Sequence, residues 1–239
     1  MELLDDIPMH RYREIGWSFL TSTSFPIFCV YLLMVNQLGT IKRAIPIPYD
    51  LRQLMGVYNL VISVVNVYCF VGFMQCLLEA PSLYEKTPNA KLSFIFYVYW
   101  ITKVCELLDT VFMILRHRFR QISPLHVYHH ASMLLLSDLG YTRYAWAAFA
   151  MPLMLNALVH VFLYLYYGLT AMGWQPSWKR RLTELQIVQF VIDLVHASIG
   201  VLYHNFCYWS LGYGLSMLYL FTAFYIRTYL RAGENQKRQ

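Results

Sequence analysis

The sequence predicts an all-α membrane protein of seven transmembrane helices, with its amino terminus luminal and its carboxyl terminus cytosolic. Composition is the first reason: the 239 residues are 58% hydrophobic and 13% charged, about half the usual charged fraction of about 25%. Span length is the second. Apolar stretches of about 17 to 25 residues, enough to cross a bilayer, lie near 16–38, 54–78, 92–115, 145–168, 182–203 and 207–226, with a shorter one near 125–140. Charge alternation is the third. Thirteen basic residues fall on one side: Lys42, Arg43 and Arg52; Arg116, Arg118 and Arg120; Lys179, Arg180 and Arg181; Arg227, Arg231, Lys237 and Arg238. Five fall on the other, namely Arg11, Arg13, Lys86, Lys91 and Arg143.

The chain is expected to be a single polytopic domain over 1–239, with a short luminal tail at 1–15 and a basic cytosolic tail at 227–239. Glu2, Asp5 and Asp6 replace the basic start of a cleavable signal peptide, so the amino terminus is expected to be retained. Pro26 and Pro152 lie inside spans, where they are expected to kink rather than end the helix. The third span carries Lys103, Glu106 and Asp109. Each costs about 2.5 to 3.5 kcal/mol near a helix centre, so three within seven residues call for pairing or a watery cavity. Lys103 and Glu106 are one turn apart and can pair. An ion-pair network that fixes packing and direct contact with a substrate or with the histidines both remain open.

The short fourth stretch opens with His126-Val-Tyr-His129-His130. Spacings of three and four put the three imidazoles on one helix face, where they can serve one site, either a metal centre or a histidine-based reaction centre. On the fifth span Asn156, His160, Tyr164 and Tyr167 form one polar stripe, and both tyrosines can hydrogen-bond His160 or a ligand oxygen. On the sixth, Gln186, Gln189, Asp193 and His196 share a face, as wall of a chamber or as hydrogen-bonding glue between helices. Polar faces turned inward on four spans imply a tunnel or chamber with imidazoles in its wall.

Other classes of chemistry lack their residues. The five cysteines stand in apolar runs without a CxxC pair, which argues for packing rather than a disulfide framework or zinc. No P-loop, GxGxxG or GxSxG occurs. The net charge of +6 is spread over short loops rather than gathered in a stripe, so no nucleic acid is expected.

Four segments, Lys103-Val-Cys-Glu106-Leu-Leu-Asp109-Thr110, His126-Val-Tyr-His129-His130, His160-Val-Phe-Leu-Tyr164-Leu-Tyr166-Tyr167 and Thr183-Glu-Leu-Gln186-Ile-Val-Gln189-Phe190, resemble, in order, the signature boxes of the very-long-chain fatty acid elongase family. The resemblance covers about residues 50–230. Leu163 departs from the methionine common in the third box. The resemblance implies an endoplasmic reticulum, multi-pass condensing enzyme that joins acyl-CoA to malonyl-CoA and releases carbon dioxide and CoA. It also implies a fold in which six of seven helices enclose a tunnel. By this resemblance His129 is the expected nucleophile, forming an acyl-imidazole, with His160 handling protons or polarising the carbonyl. His126 and His130 would orient the reactive centre, and Asn156 or Tyr164 would stabilise developing negative charge. Lys103, Glu106, Asp109, Tyr167, Gln186 and Gln189 are expected to contact substrate, and Lys179, Arg180 and Arg181 to meet CoA phosphates. Expected partners are acyl-CoA, malonyl-CoA, the lipid bilayer and the reductase and dehydratase enzymes of the elongation cycle, with a homodimer left open. No cofactor and no metal is expected. The wording from Gln121 to His130 resembles members that act on polyunsaturated chains, and Lys237 beside Arg238 is an imperfect basic retrieval signal.

Two alternatives use the same residues. A membrane di-iron desaturase or hydroxylase would use HxxHH as iron ligands, but such families need about eight histidines in paired boxes, and here only one box is paired. A seven-helix receptor or transporter would share the topology, though its histidine box would stand at the cytosolic end of a span.

Overall fold

The computed structural model describes residues 9–231, and side chains from 13 onward. Lys237 and Arg238 of the expected retrieval signal, and most of both expected tails, lie outside the described residues. Ten α-helices account for most of the rest: α1 (Met9–Leu20), α2 (Ser24–Asn36), α3 (Leu38–Ala44), α4 (Arg52–Glu79), α5 (Ala90–Glu106), α6 (Leu108–Leu115), α7 (Pro124–Thr142), α8 (Ala147–Ala171), α9 (Lys179–Tyr203) and α10 (Tyr208–Tyr225). No strand occurs among the described residues. Three helices, α4, α8 and α9, are long and apolar enough to cross a membrane, and the bent α1–α2 pair makes a fourth if counted as one span.

These helices are inverted relative to those of a water-soluble protein. On α4, Asn66 is fully buried whereas Val64 is 68% exposed; Asn59 and Ser63 go inward with Asn66, Val57 and Val61 outward with Val64. On α9, Gln189 and His196 are buried while Val188, Val191, Val195 and Leu202 are exposed. Valine costs nothing against lipid and asparagine does, so this pattern is the one a bilayer selects. The chain is therefore a helical membrane protein.

Two predicted spans are interrupted, each for a visible reason. The stretch 16–38 is expected to be one span kinked at Pro26; instead the chain turns by 71° between Leu20 and Ser24. The Thr21 hydroxyl bonds back to the Trp17 carbonyl, and the Ser24 amide, which opens α2, donates to the Asp138 carboxylate at 2.7 Å. Pro26 then sits in the first turn of α2, where a missing N–H costs little. The stretch 92–115 divides at Leu107, where the amides of Leu107 and Thr110 bond three residues back, to Val104 (3.2 Å) and Leu107 (3.1 Å), in a tighter turn than an α-helix. By contrast Pro152 stays within the continuous α8.

Neighbouring helices close a ring in the order α4, α8, α9, α10, α7, α5 and back to α4, and α2 docks outside it on α7. The α4–α8 seam is the longest. Gly168 of α8 lets it close up, since a β-carbon there would stand 3.1 Å from Leu60. The α7–α10 seam is held by Tyr128 OH with Ser216 Oγ (2.8 Å) and Ser132 Oγ with Tyr213 OH (3.1 Å). The largest apolar cluster, around Phe73, Phe96, Tyr99, Met133 and Leu153, packs α4, α5, α7 and α8.

Candidate active site

The tight turn at Leu107 sets the heart of the site. It lies between Glu106 and Asp109, so the two carboxylates leave the same chain at different angles and take different partners. Lys103 Nζ donates to both oxygens of Glu106 at 2.9 Å. Glu106 Oε1 also lies 3.0 Å from Nδ1 of His160, on α8. Lys103 is 2% exposed, Glu106 is fully buried, and His160 is buried with them. An ion pair this deep holds only with its remaining valences filled, and His160 fills one of them. The Lys103 ammonium also stands over the Tyr99 ring, 4.7 Å from its centre.

Lys103 Nζ is 3.1 Å from the same His160 nitrogen. That nitrogen cannot both donate to Glu106 and accept from Lys103. An ionised carboxylate only accepts, and Lys103 is already engaged with both of its oxygens, so the consistent arrangement puts the proton on Nδ1 and leaves the Nε2 lone pair of His160 free. A carboxylate behind a histidine is the general device for orienting such a ring.

The paired box on α7 stands opposite. Ser123 caps the helix by accepting from the His126 amide at 3.2 Å, with Pro124 in the first turn. His129 is buried, and its ring centre lies 5.7 Å from that of His160. His130 lies 5.4 Å from His129 and His126 lies 4.3 Å from His130, so the three box imidazoles are contiguous. Phe221 of α10 closes the other side of His129 at 6.3 Å. Among the described residues no three His, Cys, Asp or Glu side chains are disposed to hold a metal ion.

Other expected residues bond to neighbouring protein groups. Tyr164 donates to Asp109 Oδ2 at 2.5 Å rather than to His160. Asn156 Oδ1 accepts from Tyr99 OH at 2.6 Å. The Tyr164 proton is therefore engaged with Asp109, and Asn156 uses its oxygen rather than its amide N–H in the bond from Tyr99. Tyr167, one turn beyond Tyr164, is 41% exposed near the end of α8, edge-on to Tyr164. On α9 Gln189 is buried and donates to Asp193 at 3.1 Å, whereas Gln186 is half-buried. His196 lies toward the far end of the helix, bonded to the Ala148 carbonyl at 3.1 Å and stacked on Tyr84.

Lys179, Arg180 and Arg181 are exposed at the start of α9. Arg180 is held by Glu184 at 3.0 Å and by Tyr225 OH at 2.7 Å, and Arg181 by Glu184 at 2.7 Å. Cys105 is half-buried, and its carbonyl accepts from Tyr58.

Sequence reasoning missed two residues that fasten α2 to the helices around this site. Asp138 on α7 is fully buried, with one oxygen on the Ser24 amide and the other without a partner among the described residues. It is an acidic residue inside a span, the same signal that singled out Lys103. Tyr31 of α2 reaches the site through Thr110 and carried no comparable signal.

The sequence model described as the GNS1/SUR4 family, ELO, matches residues 20–237. The chain is 32% identical to human very long chain fatty acid elongase 5 over 247 residues, covering 95% of this chain and 81% of that protein. Identity to the rat protein of the same name is 32% over 248 residues, with the same coverage. Human very long chain fatty acid elongase 4 is 32% identical over 236 residues, covering 91% of this chain and 75% of that protein.

Proposed function

The chain belongs to the GNS1/SUR4 (ELO) family of fatty acid elongases, and from that premise we propose that it condenses a long-chain acyl-CoA with malonyl-CoA to a 3-oxoacyl-CoA, carbon dioxide and CoA. The observation that carries this is the facing of two buried histidines, His129 and His160, with their ring centres 5.7 Å apart. Behind His160 stands the Glu106–Lys103 pair.

A neutral imidazole is both nucleophile and base near neutral pH. In the first half, a ring nitrogen of His129 attacks the thioester carbonyl, the carbon–sulfur bond breaks, and CoA leaves as a thiolate that takes up a proton from solvent. His160, its Nδ1 proton on Glu106, accepts the proton that His129 sheds through its free Nε2. In the second half, malonyl-CoA loses carbon dioxide. The electron pair of that carbon–carbon bond becomes the nucleophile that takes the acyl group from His129, and His160 returns its proton to the departing imidazolide, which restores both neutral imidazoles. The Asn156 amide N–H, with its oxygen already held by Tyr99, is a fixed donor for developing negative charge.

The wider setting follows from the same premise. Seven spans with a luminal amino terminus put the basic loops at 116–120 and 179–181 on the cytosolic face, where CoA phosphates are accessible. The six-helix ring would enclose the acyl tail, with α2 outside it. Residence in the endoplasmic reticulum and work alongside reductase and dehydratase enzymes complete the proposal; polyunsaturated acyl chains are its favoured substrates.

The test is an elongation assay with purified protein, labelled malonyl-CoA and a panel of saturated and polyunsaturated acyl-CoAs. Release of labelled carbon dioxide that depends on acyl-CoA, with a product two carbons longer, is expected. Absence of both across the panel would overturn the proposal.

A further inference from the structure

The histidine box is tied to a helix outside the ring. Tyr31 OH of α2 lies 3.2 Å from Thr110 Oγ1, and Thr110 Oγ1 lies 2.8 Å from Nε2 of His126. Tyr31 is buried and Thr110 fully so. The Tyr31 ring packs against Leu107, Ala131 and Leu134, which fixes where its hydroxyl points.

Two hydroxyl protons must serve these two bonds, and only one arrangement uses both. If His126 donated to Thr110 and Thr110 to Tyr31, the Tyr31 proton would be buried with no acceptor among the described residues. If Tyr31 and His126 both donated to Thr110, the Thr110 proton would be stranded instead. A buried donor left unpaired is strongly disfavoured. Donation from Tyr31 to Thr110 and from Thr110 to the Nε2 lone pair leaves nothing stranded, and neutral His126 then carries its proton on Nδ1.

The relay is held in register from elsewhere on α2. Seven residues before Tyr31, the Ser24 amide is bonded to Asp138 and the Ser24 hydroxyl accepts from Trp100 Nε1 at 2.7 Å. Helix α2 is thus fastened at two heights, at Ser24 to α7 and at Tyr31 to Thr110 of α6, about 10 Å apart on α2 at 1.5 Å per residue. Such double fastening prevents α2 from sliding along α7.

We infer that Tyr31, acting through Thr110, is a positioning residue that locks His126 in the Nδ1–H tautomer, so that His126 serves the reaction centre as a hydrogen-bond donor and not as a base or nucleophile. This rests on the acyl-transfer reading above for its catalytic consequence, though not for the tautomer itself. It assigns a working role to a helix that lies outside the ring and to a residue outside all four sequence boxes.

The decisive measurement is nitrogen NMR of histidine-labelled protein in lipid nanodiscs, with the His126 signals assigned by loss in His126→Gln. The wild type and Thr110→Ser should show a protonated Nδ1 and a bare Nε2, whereas Thr110→Val should show a mixture of tautomers. A protonated Nε2 in the wild type, or no change in Thr110→Val, would overturn the inference. In the elongation assay, Thr110→Val should lower kcat about 3- to 10-fold, the range expected for one oriented hydrogen bond, with KM unchanged and Thr110→Ser near wild type. Tyr31→Phe keeps the packed ring and should give a smaller loss in the same direction. It decides the matter if Thr110→Val does not fold. A rise in KM at constant kcat, or an equal loss in Thr110→Ser, would overturn the positioning role. A wild type without elongation activity would instead refute the proposed function while the tautomer measurement still stands.

Discussion

Glu106 Oε1 lies 3.0 Å from His160 Nδ1 and 2.9 Å from Lys103 Nζ, so one buried oxygen both orients a histidine and neutralises a lysine. The two duties can be separated by mutation. Glu106→Gln keeps the shape but leaves the Lys103 charge buried and unpaired, which should cost about 3–5 kcal/mol and abolish most activity. Adding Lys103→Met should restore much of the thermal stability and none of the activity. Recovery of both together would mean that Glu106 acts only by holding the fold.

Tyr164 donates to Asp109 at 2.5 Å, and the fully buried ring packs edge-on to Tyr58 at 6.3 Å between centres. Tyr164→Phe keeps the ring and removes the donor, leaving a half-buried carboxylate short of a partner. A loss of about 1–3 kcal/mol is expected, read as a lower melting temperature in detergent. An unchanged melting temperature would show that Asp109 has another source of hydrogen bonds.

The basic cluster at the start of α9 is not uniform. Arg180 and Arg181 are engaged by Glu184, whereas Lys179 is exposed and forms no ion pair among the described residues. Replacing all three by alanine should raise the apparent KM for CoA substrates, and Lys179→Ala should account for more of the rise than Arg180→Ala. An unchanged KM in the triple variant would reject the phosphate role.

Val64 faces outward in the middle of α4, and Asn66 two residues on faces inward. Val64→Arg should therefore cost about 2.5–3.5 kcal/mol of insertion free energy, measurable as reduced membrane integration in microsomes. In the same assay an acceptor sequon for glycosylation placed in the loop at 80–89 should be modified, and one placed at 116–122 should not. The reverse pattern would overturn the proposed orientation.

Much of the site was legible in the sequence where its geometry is local. Lys103 and Glu106 pair because they are one turn apart, and the three box histidines are contiguous because spacings of three and four repeat a helix face. What escaped were contacts set by the arrangement of helices. Tyr31 to Thr110 spans 79 residues and Ser24 to Asp138 spans 114, and no periodicity along one chain segment reports such pairs. The bend between Leu20 and Ser24 was hidden because an apolar window averages over the threonines and serines that cause it. The exposure of Tyr167 near the end of α8 was not legible either: helical periodicity gives an angle around the axis, while height within the ring depends on where the neighbouring helices end. Legible too was the helical membrane class, since the excess of apolar residues and the cost of buried charge are properties of composition alone.

The most direct test of the central claim is mass spectrometry of purified protein incubated with an acyl-CoA and no malonyl-CoA. One acyl group per chain on His129, released CoA in equal amount, and loss of both in His129→Ala are predicted. An adduct that persists in His129→Ala, or one mapped to Cys105, would contradict the account.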